Sequence, residues 1–484
     1  MTATRRLSAL ALLLATLPAF AQDPPPERAA RTEWFRDAGF GLFVHYLAGI
    51  QNNADSVLSL GKQTDWDACV REFDTERFAD AAAEAGAGYV IFTVMQVSRF
   101  MIAPNATFDR ISGYQPGEAC ATRDLIADLA ASLGKRNIRL MLYYTGDGPR
   151  ADEKAGPAFG CAEKPGMDFV KKWADVFREY GERYGDQVAG VWTDGCYQWL
   201  GYDEERLAVL AEGLRAGHPD RIIAFNPGVD PVIRAYSAHE DYTCGEQNRF
   251  YETPAARFLN GEQWHILSFL SGTWWGEPGL GYKKAEFVEY VRQVTERGGV
   301  VSVDVALFRD GSLDKSQVEM LKAVRKALNE PAAAAAPVPP GNLAWRKQSR
   351  LLSLDGARTL GPSCETQFAR LGVDGNPDTC AQAGGEYAWT YEADLVDTVD
   401  VRRARVTFPK SGYPTVCEVR VSADGRHWKT VHRAENHDGA PLEIVLDTSE
   451  QARYVRVCAE KPDGPGQPGG QMAVAELEVH ADGS

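Results

Sequence analysis

Between Gly39 and Leu328, short apolar runs take turns with amphipathic stretches, and this alternation restricts the fold more than any other feature of the chain. The runs are Gly39–Tyr46, Gly88–Val94, Ile138–Tyr144, Val188–Trp192, Ile222–Phe225, Tyr242–Glu246, Trp264–Phe269 and Val300–Ala306. The stretches between them, such as Phe78–Ala85, Leu125–Leu133, Phe169–Tyr180, Leu207–Leu214, Phe287–Val294 and Val318–Leu328, repeat apolar residues at helical spacing. Strands apolar on both faces, joined by helical crossovers, belong to parallel sheets covered by helices, and eight such units make a (β/α)8 barrel. No good helix follows Phe225 or Glu246, so the expected barrel is TIM-like but distorted on that side.

A change of composition ends the pattern. Residues 330–341, EPAAAAAPVPPG, have nothing to bury and read as a linker. Beyond them the helical period vanishes, and short alternating runs such as Val401–Phe408, Cys417–Val421, Leu442–Leu446, Tyr454–Cys458 and Val474–Val479 predict an all-β sandwich. The expected organisation is an α/β barrel over residues 22–329, the linker, and the sandwich over 342–484.

Residues 1–21 read as a secretory signal peptide: Arg5 and Arg6, an apolar run from Leu7 to Leu17, and a small-residue cleavage site after Ala21. The mature chain is therefore expected outside the cytoplasm, secreted or periplasmic, with no membrane span. Nine cysteines without a C-x-x-C pair suit disulfides better than zinc in such a compartment. Cys364 with Cys380 and Cys417 with Cys458 is one pairing open to the four beyond residue 341; spacing does not fix connectivity. Sixty-seven acidic residues against fifty-two basic ones give a net charge of -15, which disfavours nucleic acid and anionic membrane as partners and suits a neutral substrate.

The run Val188–Trp192 leads into Asp194 and Gly195, placing a carboxylate at the carboxyl end of a barrel strand, where barrel enzymes build their sites. Trp34 and Phe35 with DAGFGLFVH (37–45), AGAGYVIFT (85–93), RDL (123–125), VWTDG (191–195), and the stretch Val294–Gly299 followed by an apolar strand and Asp310-Gly311 occur in an order that resembles the alpha-L-fucosidases of glycoside hydrolase family 29. The resemblance runs from about Trp34 to Leu328 and implies that Asp194 is the nucleophile. It also implies that Glu246, closing DYTCGE (241–246), is the general acid/base, with Glu240, Asp241 and Glu262 as local competitors. Two carboxyls about 5–5.5 Å apart, one ionised and one protonated, are what a retaining glycosidase needs, and no catalytic cofactor.

The same resemblance makes His45 a sugar ligand and sets Asp65 and Trp66 where the family has Glu-Trp. Tyr144 and Trp192 are candidates to face a pyranose ring, and Arg234 to orient its hydroxyls. The family's Lys-His-His-Asp-Gly-Phe is here MQVSRF (95–100), without either sugar-binding histidine, and its Asn-rich motif on the eighth strand is VSVD (301–304). Three readings stay open: a fucosidase-like exo-glycosidase acting on a glycan, the same mechanism on another sugar, or a glycan-binding barrel without turnover. Residues 342–484 resemble the factor V/VIII C-type, discoidin-like jelly roll shared with family 32 carbohydrate-binding modules, through VDGNPDT (373–379), VSADGRHW (421–428) and AELEV (475–479). That resemblance makes Asp374, Thr379 and Glu476 candidate ligands of a structural calcium, an ion that demands oxygen donors.

Overall fold

The computed structural model describes residues 24–161, 164, 166–229, 233–254, 256–330, 341–361, 368–460 and 468–481. The leader and nearly all of the Pro/Ala stretch lie outside the described residues. Seven of the eight apolar runs form one curled parallel sheet: β1 (Phe40–Val44), β2 (Tyr89–Thr93), β3 (Arg139–Thr145), β4 (Val188–Asp194), β5 (Ile222–Phe225), β6 (His265–Phe269) and β7 (Val300–Asp304), in the order β5-β4-β3-β2-β1-β7-β6. Around it run α1 (Thr75–Ala85), α2 (Leu125–Gly134), α3 (Met167–Tyr184), α4 (Glu204–Leu214), α5 (Lys284–Glu296) and α6 (Lys315–Asn329). Asp74, Asp124, Asp203 and Asp314 cap α1, α2, α4 and α6, each accepting a backbone N–H that the first helical turn leaves unpaired.

Residues 241–247 close the gap between β5 and β6 as an irregular eighth member. On one side they follow β6, with Thr243 N–H on Gln263 O at 3.0 Å and Gln247 N–H on Leu267 O at 2.9 Å. On the other side, carboxylates stand in for ladder bonds: Asp241 accepts from Ile223 N–H at 3.0 Å and Glu240 from Phe225 N–H at 3.1 Å. Gly245 makes the close approach to β6 possible, because at its φ of 68° a Cβ would stand 2.0 Å from His265 O. The distortion expected after β5 is thus a strand position filled by chain that pairs partly through its side chains.

Strand alternation sorts the core into two layers. Phe43, Ile91, Met141, Tyr143, Trp192, Ala224, Tyr242 and Cys244 fill the barrel lumen. Their sequence neighbours, among them Leu42, Phe92, Leu142, Tyr144 and Val191, pack outward under the helices.

The second unit is antiparallel: β8 (Gln348–Ser353), β9 (Trp389–Thr407), β10 (Val416–Ser422), β11 (Lys429–Glu435), β12 (Leu442–Ala459) and β13 (Glu476–Ala481), ordered β8-β9-β12-β10-β11 with β13 on β9. The long strands β9 and β12 break register between Asp394 and Val399, and their two halves enclose the core with Trp389, Tyr391, Val406, Val455 and Leu477. Its register corrects the Cys417–Cys458 pairing. Cys417 lies opposite Ala459 and Cys458 opposite Glu418, so the two side chains leave opposite faces of the sheet, and both are free thiols. The other bridge of that pairing, Cys364–Cys380, lies outside the described residues, since Cys364 is not among them. The sandwich rests on the barrel through Arg346 to Glu289 at 2.8 Å, Gln348 to Glu252 at 3.2 Å, and Phe368 stacked on Tyr251 at 4.4 Å.

Candidate active site

At the carboxyl ends of the barrel strands the lumen turns from apolar to polar. His45, Asp194 and Asp304 continue the inward parity of β1, β4 and β7, while Asn226 and Glu246 continue that of β5 and the eighth segment. Asn226 joins the two carboxylates: its Nδ2 donates to Asp194 Oδ1 at 2.8 Å and to Glu246 Oε2 at 2.7 Å, so the two oxygens are at most 5.5 Å apart, the length of both bonds end to end. With one amide hydrogen for each, about 120° apart, the separation is about 4.8 Å.

Asp194 is held by four further donors. Gly195 N–H at 2.8 Å and Tyr197 Oη at 3.1 Å reach Oδ1, and Tyr143 Oη at 2.7 Å and Gln96 Nε2 at 3.5 Å reach Oδ2. Gly195 has φ 68°, and a Cβ there would press on Asp147 Oδ1 at 3.0 Å, so the glycine after Asp194 is a steric requirement. Burial, and then the neighbouring charge of Asp194, push Glu246 up to about 7, although the Asn226 bond pulls the other way. One carboxyl wrapped in donors and one driven toward its protonated form is the split that separate acid and nucleophile roles require.

The competing acids have other duties. Asp241 is buried and clamped by Arg31 and Arg215, each at 2.8 Å. Glu240 accepts backbone N–H groups from Phe225, Tyr236 and Ser237, and with Glu262 forms a buried carboxyl pair; burial pushes Glu240 to about 7 and Glu262 well above the carboxylate range.

His45 is at the site, its Nδ1 3.1 Å from Asp304 Oδ1 and its ring 5.1 Å from Trp275. Trp192 is a lumen residue beneath the site, stacked under Tyr143 at 5.5 Å and donating to Cys244 O at 3.0 Å. Arg234 lies exposed on the loop after β5, over the Tyr236 ring at 5.3 Å. One expectation needs correction. Tyr144 points outward, packing on Phe177 at 4.4 Å, because it has the opposite parity to Tyr143, and it is Tyr143 that reaches Asp194. Asp65 is an exposed helix cap that accepts Ala68 N–H at 2.7 Å. Trp66 is buried in the wall, its indole donating to Met101 O at 2.9 Å.

Sequence reasoning missed Tyr143, Tyr197 and Asn226. Counting by twos from Trp192 and Ala224 finds Asn226, and the register of β3 on β4 finds Tyr143, whereas Tyr197 lies on a loop with no periodic signal. Two non-glycine residues at the site have left-handed backbone, Val97 (φ 45°) beside Gln96 and Trp275 (φ 77°) against His45. Such strain costs about 1–3 kcal/mol each and gathers at functional sites. Trp275 and Trp199, the latter stacked on Tyr197 at 5.6 Å, are large exposed aromatics.

In the sandwich, Thr379 Oγ1 donates to Asp374 Oδ2 at 2.9 Å and Gly375 N–H to Glu476 Oε2 at 3.0 Å. Glu476 Oε1 is buried with no partner, and burial pushes this carboxyl to about 7. Two carboxylates, one of them with an unpartnered oxygen, and a hydroxyl are oxygen donors of the kind a hard cation takes.

Fold and site together define a barrel glycoside hydrolase, fucosidase-like in type. The family model described as Alpha-L-fucosidase matches residues 62–331, over half of the sequence, and the chain belongs to the alpha-L-fucosidase family. A second model, described as a NedA-like, galactose-binding domain, matches residues 371–457. The chain is 23% identical over 337 residues to the tissue alpha-L-fucosidase of Rattus norvegicus, covering 61% of this chain and 67% of that one. Among solved structures, a putative alpha-L-fucosidase from Bacteroides thetaiotaomicron aligns with TM-score 0.46 and 12% identity over 96% of this chain and 99% of that one. An endo-fucoidan hydrolase of glycoside hydrolase family 107 aligns with TM-score 0.50 and 14% identity over 68% and 59%, a likeness of fold alone.

Proposed function

We propose that the chain is an exported, retaining exo-glycosidase that removes a terminal sugar from a glycan. The Asn226 bridge carries this reading: it holds the two carboxyl oxygens to at most 5.5 Å, the sum of bonds of 2.8 and 2.7 Å, whereas an inverting pair stands about 6.5–9.5 Å apart to admit water. Asp194 attacks the anomeric carbon while Glu246 gives its proton to the departing oxygen. Glu246, now ionised, takes a proton from water, which attacks the glycosyl ester and restores Asp194. The exposed faces of Trp199 and Trp275 suit the apolar faces of sugar rings. Export rests on the leader alone.

An alpha-L-fucoside is the first substrate to test. A second sugar is favoured by one observation: where the family has two histidines, this chain presents the single amide of Gln96, 3.5 Å from Asp194 and with its Oε1 buried and unpaired. A site built to bond a given hydroxyl rejects sugars lacking it. Aryl alpha-L-fucoside and a panel of other aryl glycosides decide between them. Cleavage of one of them, with net retention and a loss of roughly 10³-fold or more in Asp194→Asn, is the expected result. Inversion sinks the mechanism, and glycan binding with no turnover on any substrate leaves a binding protein.

We also propose a structural calcium held by Asp374, Thr379 and Glu476, pinning the loop between them. Calcium is expected to raise the unfolding temperature and chelator to lower it, with Glu476→Gln insensitive to both; equal curves for the parent protein with and without calcium discard the site.

A further inference from the structure

The segment that delivers Glu246 continues into a cleft of about 560 Å³ between the two units. Residues 249–253 and α5 form one wall, and Arg346, Lys347 and residues 370–379 the other. The acids along it are already engaged. Glu289 pairs with Arg346 and Arg292, both at 2.8 Å, Glu286 with Lys283 at 3.2 Å, and Asp374 accepts from Asn376 N–H at 2.8 Å and Thr379 at 2.9 Å. Two cations form no direct ion pair. Among the described residues neither Lys347 nor Arg370 has a carboxylate within ion-pair distance, and both also line the small adjoining pocket of about 40 Å³ where Tyr251 stacks on Phe368. Arg370 is open to water yet enclosed by protein on most sides, with Arg249 contributing a further positive charge. Asp374 and Glu286 act on Arg370 through space, and Asp394 and Asp397 on Lys347, yet in a chain of net charge -15 neither cation closes a direct ion pair among the described residues.

We propose that this cleft is a binding site for an acidic saccharide, with Lys347 and Arg370 receiving sulfate or carboxylate groups and Tyr251 offering the ring face that Phe368 does not cover. Guanidinium and ammonium groups bind such anions by charge-assisted hydrogen bonds, and aromatic faces bind the sugar that carries them. Arg249, on one wall of the cleft, is three residues beyond Glu246, a Cα reach of at most about 11 Å, which sets that wall close to the active site. The proposal deepens the glycosidase reading and rests on it for the word substrate, but its test does not need turnover.

Titration calorimetry on the full chain carrying Asp194→Asn compares a sulfated tetrasaccharide derived from heparin, an oligogalacturonate and an uncharged chitooligosaccharide of the same length, with inorganic sulfate as control. At least one of the two acidic oligosaccharides is expected to bind tenfold or more tighter than the neutral one at low salt, and to weaken steeply at 0.5 M salt. Which of the two it is distinguishes sulfate from carboxylate. Lys347→Gln with Arg370→Gln is expected to abolish the preference, and Lys347→Arg with Arg370→Lys to keep it, which separates loss of charge from misfolding. Equal binding of acidic and neutral probes, persistence of the preference in the Gln pair, or inorganic sulfate binding as tightly as the oligosaccharide overturns the proposal. Failure here with aryl glycoside turnover intact removes the cleft and leaves the hydrolase standing.

Discussion

Asn226 donates to both carboxyls and thereby tunes as well as spaces them. Glu246 is pushed up to about 7 by burial and by Asp194, so it is protonated below that value and kcat/KM is expected to fall as pH rises through it. The Asn226 bond favours the ionised form, so Asn226→Ala is expected to move this basic limb to higher pH while lowering kcat/KM about 10- to 100-fold through loss of spacing. A pH–rate profile of parent and variant reads both effects, and an unmoved limb shows that Asn226 does not set it. Neighbouring tyrosines give a second contrast. Tyr143→Phe removes a charge-assisted bond worth about 1.5–3 kcal/mol and is expected to reduce kcat/KM some 10- to 100-fold. Tyr144→Phe, buried under α3, is expected to leave it within twofold; the same steady-state assay checks both.

At the scale of elements, the site depends on an eighth position that pairs through side chains. Asp241 is its fulcrum, buried, clamped by Arg31 and Arg215, and bonded to Ile223 N–H. Asp241→Ala strands two arginines and a backbone donor, and is expected to cost about 3–5 kcal/mol in denaturant unfolding. A loss under 1 kcal/mol would show that the segment is held by its bonds to β6 alone. Elements with regular periods were legible: the helices begin and end within a few residues of their patterns, and seven apolar runs became strands. The run Tyr242–Glu246 reads like the others because its inward residues Tyr242, Cys244 and Glu246 keep period two, while the kink at Gly245 carries no periodic signature.

For the whole molecule, several carboxyls are buried where their charged forms are disfavoured. Glu240 is pushed to about 7 and Glu262 well above the carboxylate range, from an ordinary value of 4.5. A carboxyl raised in the folded state stabilises it fully below the unfolded value and loses that contribution as pH rises through the folded one. The unfolding temperature is therefore expected to be higher at pH 5 than at pH 8. Acids lowered in the fold, such as Glu76 and Glu418 at about 2, lose their contribution only below about 4.5, outside that window. Glu262→Gln, always neutral, is expected to flatten the decline in a calorimetric series, and an unchanged slope would remove the Glu240–Glu262 pair as its source.

By itself the sequence determined what repeats along the chain or sits at a fixed offset from a repeat. The barrel, the antiparallel second unit, the place of Asp194 at a strand end and the inward parity of Glu246 all follow from local periods that burial enforces wherever the strands meet. Only the tertiary structure decided which side chains converge. Tyr143 and Asn226 come from the ends of the strands on either side of Asp194, Tyr197 from the aperiodic loop that follows it, and Cys417 and Cys458 were parted by a register no single strand contains. Distances across a closed barrel are set by how strands pair, a property of two chain segments at once, so they are absent from either segment read alone.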